Sequence, residues 1–269
     1  MAPLDKASDR PEFRDWVDRQ PASLEPLLPV MHTAKALIAR DIVRQGAIVP
    51  RECEVLGKAV AYFFYGRPAY RLSDNGTVTQ NLMCPICFVF SPELLANASN
   101  IHPFDTGAFY NRLYRHAMIE DIEIPNFDLV GDIDRIPKLI ARVFSNNTTY
   151  FDGDRFAIRR AAHDAEPDEY LAQSYIDLIT SKGRNEPDDR VSTIEVAIDK
   201  TASLEPGLLA VVVPDNIWSA EYSSDWLRPL SDGGVEILPY RHVMGREPSH
   251  YRDAIEVQVR AFLLGRGLI

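Results

Sequence analysis

The feature that most constrains the fold is where the β-rich stretches lie along the chain. Apolar and β-branched runs occupy residues 27–31, 59–65 and 86–90, and they return in the last third as VSTIEVAI, GLLAVVVP and VEILPY. Helical periodicity falls mainly between these two groups, near residues 138–144 and from 167 onward. Because strands and helices do not alternate strictly, the pattern predicts an α+β fold with a mostly antiparallel or mixed β-sheet.

The domain organisation follows from the same pattern. A chain of 269 residues can form one large core, since single cores seldom grow beyond roughly 250 to 300 residues. Residues 1–26 are polar and proline-bearing, and we expect an N-terminal extension there. We expect one α+β domain over 27–269, with a helical and irregular insertion at about 100–185 that also holds turn sequences such as GDID.

Charge and cysteine content limit the partners and the compartment. The formal net charge of -10 disfavours broad attraction to nucleic acid or to anionic membranes. No apolar run approaches the roughly 20 residues that a membrane span needs, so we expect no membrane partner. Three cysteines, Cys53, Cys84 and Cys87, fit a reducing compartment and a cytoplasmic protein. The gap between Cys84 and Cys87 suits a zinc knuckle, but no second pair accompanies it and no metal is expected.

His32 and Thr33 follow the first apolar run. Thr33 is expected to cap a helix that ends near Gly46. His32 would then lie beside free backbone N–H groups, where anionic or hydroxyl-rich ligands bind. A half-buried histidine satisfied by a backbone carbonyl is the alternative.

The run AYFFYGRPAYR at residues 61–71 combines aromatic rings with two arginines. Such a density suits a heteroaromatic ring that carries phosphates. Alternation along a strand sends about half of the rings into the core. Tyr65 and Arg67 are the predicted site members, because they are nearest to Gly66 and Pro68, which end the strand. Tyr70 is a further candidate for binding the ligand.

Glu195 interrupts the β-branched strand VSTIEVAI. One interpretation is a glutamate on a solvated face of the sheet beside a cross-strand cation. The other is a carboxylate held rigidly in a cleft, where it stabilises developing positive charge.

A different chemistry is suggested by His102 and Asp105 in HPFDTG. Together with a cysteine they could imitate a Cys-His-Asp hydrolase. No nucleophile elbow supports this interpretation, and the segment is otherwise expected to form a structural turn beside the site. Signatures of phosphate-binding loops, Rossmann folds and zinc proteases do not occur in the sequence.

Taken in order, three segments resemble the signature of the ADP-ribosyltransferase superfamily: a strand ending in His-Thr, the run YFFYGRPAYR and the later strand STIEVAI. The likeness is nearest to DarT-like toxins and covers about residues 29–71 and 191–217. It implies a split β-sheet that grips NAD as co-substrate. It further implies that His32 binds the ribose or amide of NAD, that Tyr65 stacks near nicotinamide, and that Glu195 holds the nicotinamide ribose. Arg67 would contact the pyrophosphate.

The resemblance leaves the acceptor of ADP-ribose open. The acceptor can be a protein, a nucleic acid, a small molecule or water. The resemblance also implies that the protein is a toxin or phage-defence effector, with an antitoxin as a possible partner. Outside the resemblance, a noncatalytic nucleotide- or protein-binding module remains the alternative to an enzyme, beside the Cys/His/Asp hydrolase.

Overall fold

The computed structural model describes residues 12–70, 77–154, 158, 165–181, 189–220 and 225–269. The strands are β1 (Val30–Lys35), β2 (Ala47–Ile48), β3 (Arg51–Cys53), β4 (Lys58–Tyr65), β5 (Pro85–Phe90), β6 (Asn100–His102), β7 (Glu195–Ile198), β8 (Ala202–Ser203), β9 (Leu208–Pro214) and β10 (Glu236–Tyr240). The α-helices are α1 (Phe13–Asp18), α2 (Ala36–Gln45), α3 (Thr106–Tyr110), α4 (Arg135–Val143), α5 (Asn147–Phe151), α6 (Tyr170–Thr180), α7 (Asp215–Ser219), α8 (Arg228–Asp232) and α9 (Pro248–Gly265).

The chain divides into two compact units. One unit combines residues 1–25 with 102–192, and the other combines 26–101 with 193–269. The first therefore contains the N-terminal stretch that we treated as an extension, together with most of the segment that we treated as an insertion.

In the first unit, α1 is held by aromatic packing and by charge. The ring of Phe13 lies 5.1 Å from that of Phe127 and 5.3 Å from that of Tyr175, between ring centroids, both edge to face. The Arg135 guanidinium donates to both carboxylate oxygens of Asp18, with Nη2 2.8 Å from Oδ2. Helix α1 is thus an integral part of this unit's core.

The second unit contains the main sheet, whose strand order is β10-β9-β5-β1-β4-β7-β6, with β3 added beside β4. The pairings β5 with β9, β1 with β5, β1 with β4 and β4 with β7 are antiparallel, whereas β9 and β10 run parallel. Strand β5 is buried along its whole length, as expected of a central strand. The predicted α+β fold with a mostly antiparallel, mixed sheet is confirmed.

The C-terminal helix α9 packs on the β10, β9 and β5 end of this sheet. Its buried residues Tyr251, Ile255, Val259, Phe262 and Leu263 recur at helical spacing. The rings of Tyr251 and Tyr240 lie 6.2 Å apart at this contact. Among the described residues, no helix combines the length and the apolar character needed to cross a membrane.

Candidate functional site

The three segments that carry the sequence signature lie on neighbouring strands. His32 is in β1, Tyr65 ends β4 and Glu195 begins β7, and these strands are consecutive in the order β1-β4-β7. The end of β4 at Tyr65 and the start of β7 at Glu195 are 130 residues apart in the sequence, so tertiary contacts and not local sequence make this pairing. The fold therefore gathers all three segments into one part of the second unit.

The contact between β1 and β4 is short. The two strands share two residue pairs, Val30 with Tyr65 and Met31 with Phe64. Strand β1 continues to pair with β5 as far as Lys35, while β4 pairs with β7 from Phe64 back to Ala61. The sheet consequently splits between β1 and β4 just beyond Met31, and we call this place the seam.

His32 lies at the start of the seam, inside β1. We predicted it beside a helix N-terminus, and that prediction is wrong, because β1 runs on to Lys35 and α2 begins at Ala36. Pairing with β5 extends the strand through Thr33 and Lys35. For the same reason Thr33 does not cap the helix, and Lys35 holds the N-cap position.

The His32 ring is held by a backbone contact. Its Nδ1 lies 2.8 Å from the carbonyl oxygen of Tyr62, and its ring centroid is 5.5 Å from that of Phe63. Since a carbonyl only accepts, Nδ1 carries the hydrogen and Nε2 is left as an acceptor. Burial lowers the pKa of His32 against the opposing effect of the Tyr62 carbonyl, and the positive charge of Arg51 lowers it further. These effects favour the neutral form of the imidazole.

Glu195 is a buried carboxylate at the start of β7, with 3% of its surface exposed. Its direct cross-strand partner is Phe64 in β4. The interpretation of a glutamate on a solvated face is wrong, because the side chain is buried. A carboxylate in such a place is fixed by the ladder on which it sits, which is the condition for electrostatic stabilisation of a transition state.

Arg67 is also buried, with 5% of its surface exposed. Gly66 before it has a φ of 66°, a conformation that favours glycine. The Arg67 N–H donates to the Tyr65 carbonyl at 2.8 Å and the Gly66 N–H donates to the Pro29 carbonyl at 2.8 Å. This tight turn ends β4 and brings a guanidinium to the same end of β4 as Tyr65.

Tyr65 is fully buried, and its hydroxyl accepts the Leu28 N–H at 2.7 Å. The ring therefore packs inside the second unit, where its hydroxyl holds the residue two positions before β1. Its predicted role beside nicotinamide stays a prediction.

Strand alternation places the predicted residues on different faces. Tyr65 lies opposite Val30, which shares a face with His32, whereas Glu195 lies opposite Phe64 on the other face. Thr33 lies opposite Cys87 in β5 and also points away from the face of His32. The structure thus brings these residues into one region without placing them on one surface.

Tyr70 belongs to a different cluster. Burial raises its pKa, and the Cys84 and Tyr251 side chains raise it further, so Tyr70 lies near Cys84. The Cys84 Sγ is 3.5 Å from Nδ1 of His242, a residue that the sequence did not single out. No local pattern could reveal this pair, since 158 residues separate its members.

The remaining sequence candidates have structural partners. The Asp105 carboxylate caps α3 by accepting the Ala108 N–H at 3.0 Å, and it forms an ion pair with Arg190. Burial raises the pKa of the Cys84 thiol to about 11 and that of Cys87 to about 12, which keeps both protonated and poorly nucleophilic. In the described ranges, no three or more His, Cys, Asp or Glu side chains are grouped to hold a metal ion.

A cleft of about 610 Å³ lies elsewhere in the second unit, between the end of α2, the turn after β8 and the start of α8. Trp226, Leu204 and Val43 contribute to its walls. The residues that line it do not include the candidate site residues His32, Thr33, Tyr65, Arg67, Tyr70 and Glu195.

Comparisons with known proteins add no relative. No family model matches the chain, and neither the curated proteins nor the solved structures contain a significant match.

Proposed function

We propose that this protein is an NAD-dependent ADP-ribosyltransferase that breaks the bond between nicotinamide and ribose. The observation that carries the proposal is the adjacency of β1, β4 and β7, because each bears one of the three segments that resemble the superfamily. The split between β1 and β4 beyond Met31 supports it, since the resemblance implies a split sheet.

The face on which each side chain leaves its strand limits how NAD could bind. His32 and Glu195 point from opposite faces of the sheet. A ligand that engages both must therefore lie at the seam, where β1 and β4 separate. The Nε2 of His32 would accept a hydrogen bond from a ribose hydroxyl or an amide, and Arg67 would supply positive charge for the pyrophosphate.

Glu195 has the central chemical role in this proposal. When the C1′–N1 bond breaks, its electron pair leaves with nicotinamide and neutralises the pyridinium ring. Positive charge then develops on C1′ and the ribose ring oxygen, and a fixed carboxylate nearby stabilises that charge by several kcal/mol. The acceptor forms the new bond to C1′ and gives up its proton.

The acceptor and the setting are part of the proposal. The acceptor is a protein, a nucleic acid or a small molecule, with water as the case of NAD hydrolysis. The resemblance to DarT-like toxins favours a cytoplasmic toxin or phage-defence effector that an antitoxin neutralises.

The test is nicotinamide release from NAD, followed by mass spectrometry with and without cell lysate as a source of acceptors. Glu195→Gln should lower the rate by about 100-fold or more, the loss typical of removing one electrostatic contact to a transition state. Glu52→Gln is the matched control, because Glu52 is an exposed glutamate in the neighbouring strand β3. It should leave the rate unchanged.

The outcomes separate the functional alternatives. Saturable NAD binding without release would favour a noncatalytic binding module. A release that is equal in both variants would contradict the role of Glu195, and the absence of both binding and release would overturn the proposal.

A further inference from the structure

Tyr62 in β4 makes two contacts, one through its backbone and one through its side chain. Its carbonyl oxygen accepts the Nδ1–H of His32 at 2.8 Å. Its hydroxyl lies 2.9 Å from the Sγ of Cys53 in β3. One residue therefore contacts both Cys53 in β3 and the His32 imidazole at the seam.

The Tyr62 carbonyl is available to His32 because of the seam. Along β4, the Tyr65 N–H donates toward β7, to the Ile194 carbonyl, and the Gly66 N–H donates toward β1, to the Pro29 carbonyl. Backbone groups two residues apart point the same way in a strand, so the Tyr62 carbonyl, four residues before Gly66, faces β1. The ladder with β1 has ended at Met31, and the His32 side chain takes the place of a backbone donor.

We propose that Tyr62 is the positioning residue for His32, holding its imidazole at the seam as the single tautomer with hydrogen on Nδ1. The bond to Cys53 restrains the Tyr62 side chain, and β3 is itself tied to β4 by the pairing of Cys53 with Lys58. Restraint of the side chain restrains the peptide group whose oxygen binds His32. The Nε2 of His32 then stays an acceptor aimed at one place.

This inference rests on the proposed function only for its catalytic consequence. The tautomer itself is a property of the unliganded protein. The other groups that act on the His32 ring are the Phe63 ring, at 5.5 Å between centroids, and the positive charge of Arg51.

The experiment measures the imidazole nitrogens directly, by long-range ¹H–¹⁵N NMR correlation at pH 7.5, with His32→Gln used to assign the signals. The wild-type spectrum should show His32 with hydrogen on Nδ1 alone. Tyr62→Phe and Cys53→Ala each remove the same hydroxyl–thiol bond from opposite ends, and each should add signals of the Nε2–H tautomer. The double variant Tyr62→Phe/Cys53→Ala should change the His32 signals no more than either single variant does. All three variants lack the same bond between the Tyr62 hydroxyl and the Cys53 thiol.

Tyr240→Phe is the matched control. It removes a buried tyrosine hydroxyl that donates to the Pro85 carbonyl at 2.8 Å, within the same unit but away from the seam. It should leave the His32 signals as in the wild type.

Three results would overturn the inference: an Nε2–H tautomer in the wild type, unchanged His32 signals in both Tyr62→Phe and Cys53→Ala, or an equal change in Tyr240→Phe. Nicotinamide release in the Tyr62→Phe variant should fall by about tenfold if the proposed function holds. Failure of NAD turnover would count against the proposed function, and the tautomer measurement would still decide the role of Tyr62.

Discussion

Phe64 in β4 lies directly opposite Glu195 in β7, so the residue paired with the glutamate across the two strands is aromatic. Glutamates in strands ordinarily face water, yet this one is 3% exposed. A buried carboxylate is stable only when neighbouring groups compensate its charge, and Glu195 does interact with other groups of the chain.

The hydroxyl of Tyr65 is expected to matter for stability. Tyr65→Phe leaves the buried Leu28 N–H without its acceptor and should lower the free energy of unfolding by about 1–3 kcal/mol. Tyr70→Phe is the contrasting variant, because the buried Tyr70 hydroxyl has no hydrogen-bond partner in the part of the chain that the structure describes. It should be neutral or stabilising. Urea denaturation of both variants measures the difference, and equal losses would contradict it.

Asp105 is expected to act as a structural residue. Asp105→Ala removes the N-cap of α3 and leaves Arg190, which is largely buried, without its carboxylate partner. The loss of stability should be about 3 kcal/mol. Thermal unfolding checks this, with Glu120→Ala as a control, since both side chains of the Glu120 ion pair with Arg112 are largely exposed. A hydrolase built on Asp105 would instead lose activity without losing stability.

The cysteines should differ in reactivity toward iodoacetamide at pH 8. Cys84 and Cys87 are buried, with the pKa of their thiols raised by burial to about 11 and about 12, whereas Cys53 is partly exposed. Intact-mass measurement should show one adduct on the native protein and three in denaturant. Rapid modification of Cys84 in the native state would show that the Cys84–His242 pair is activated, contrary to expectation.

His32 should make stability depend on pH in the acidic range. Burial lowers the pKa of His32 in the folded protein. Below the pKa of about 6.5 that the histidine has in the unfolded chain, the unfolded chain binds a proton more readily than the folded chain does. The stabilisation is complete above that pH and is lost as the pH falls toward the folded pKa, by at most about 1.4 kcal/mol per pH unit. Urea denaturation between pH 7.5 and 5 should show a smaller decline in His32→Gln. An identical decline in the wild type and in His32→Gln would contradict the lowered pKa of His32 in the folded protein.

Local patterns predicted much of the secondary structure and failed where a distant partner decides the outcome. The α+β class and the strand at 59–65 follow from alternation and from the glycine and proline breaks around it. The end of β1 does not follow, because Thr33 and Lys35 are kept in a strand by β5, which lies more than 40 residues further along the chain. The same holds for the N-terminal stretch, whose Asp18 is bound by Arg135.

What the sequence alone determined is the α+β class and the order of the candidate residues along the chain: His32, then the aromatic run with Arg67, then Glu195. Only the tertiary structure decided that their strands are neighbours, that Glu195 is buried opposite Phe64, that the Tyr65 ring is buried, and that Cys84 lies beside His242. The physical reason is that propensity and periodicity act over a few residues. Strand register and burial are set instead by contacts between segments far apart in the chain.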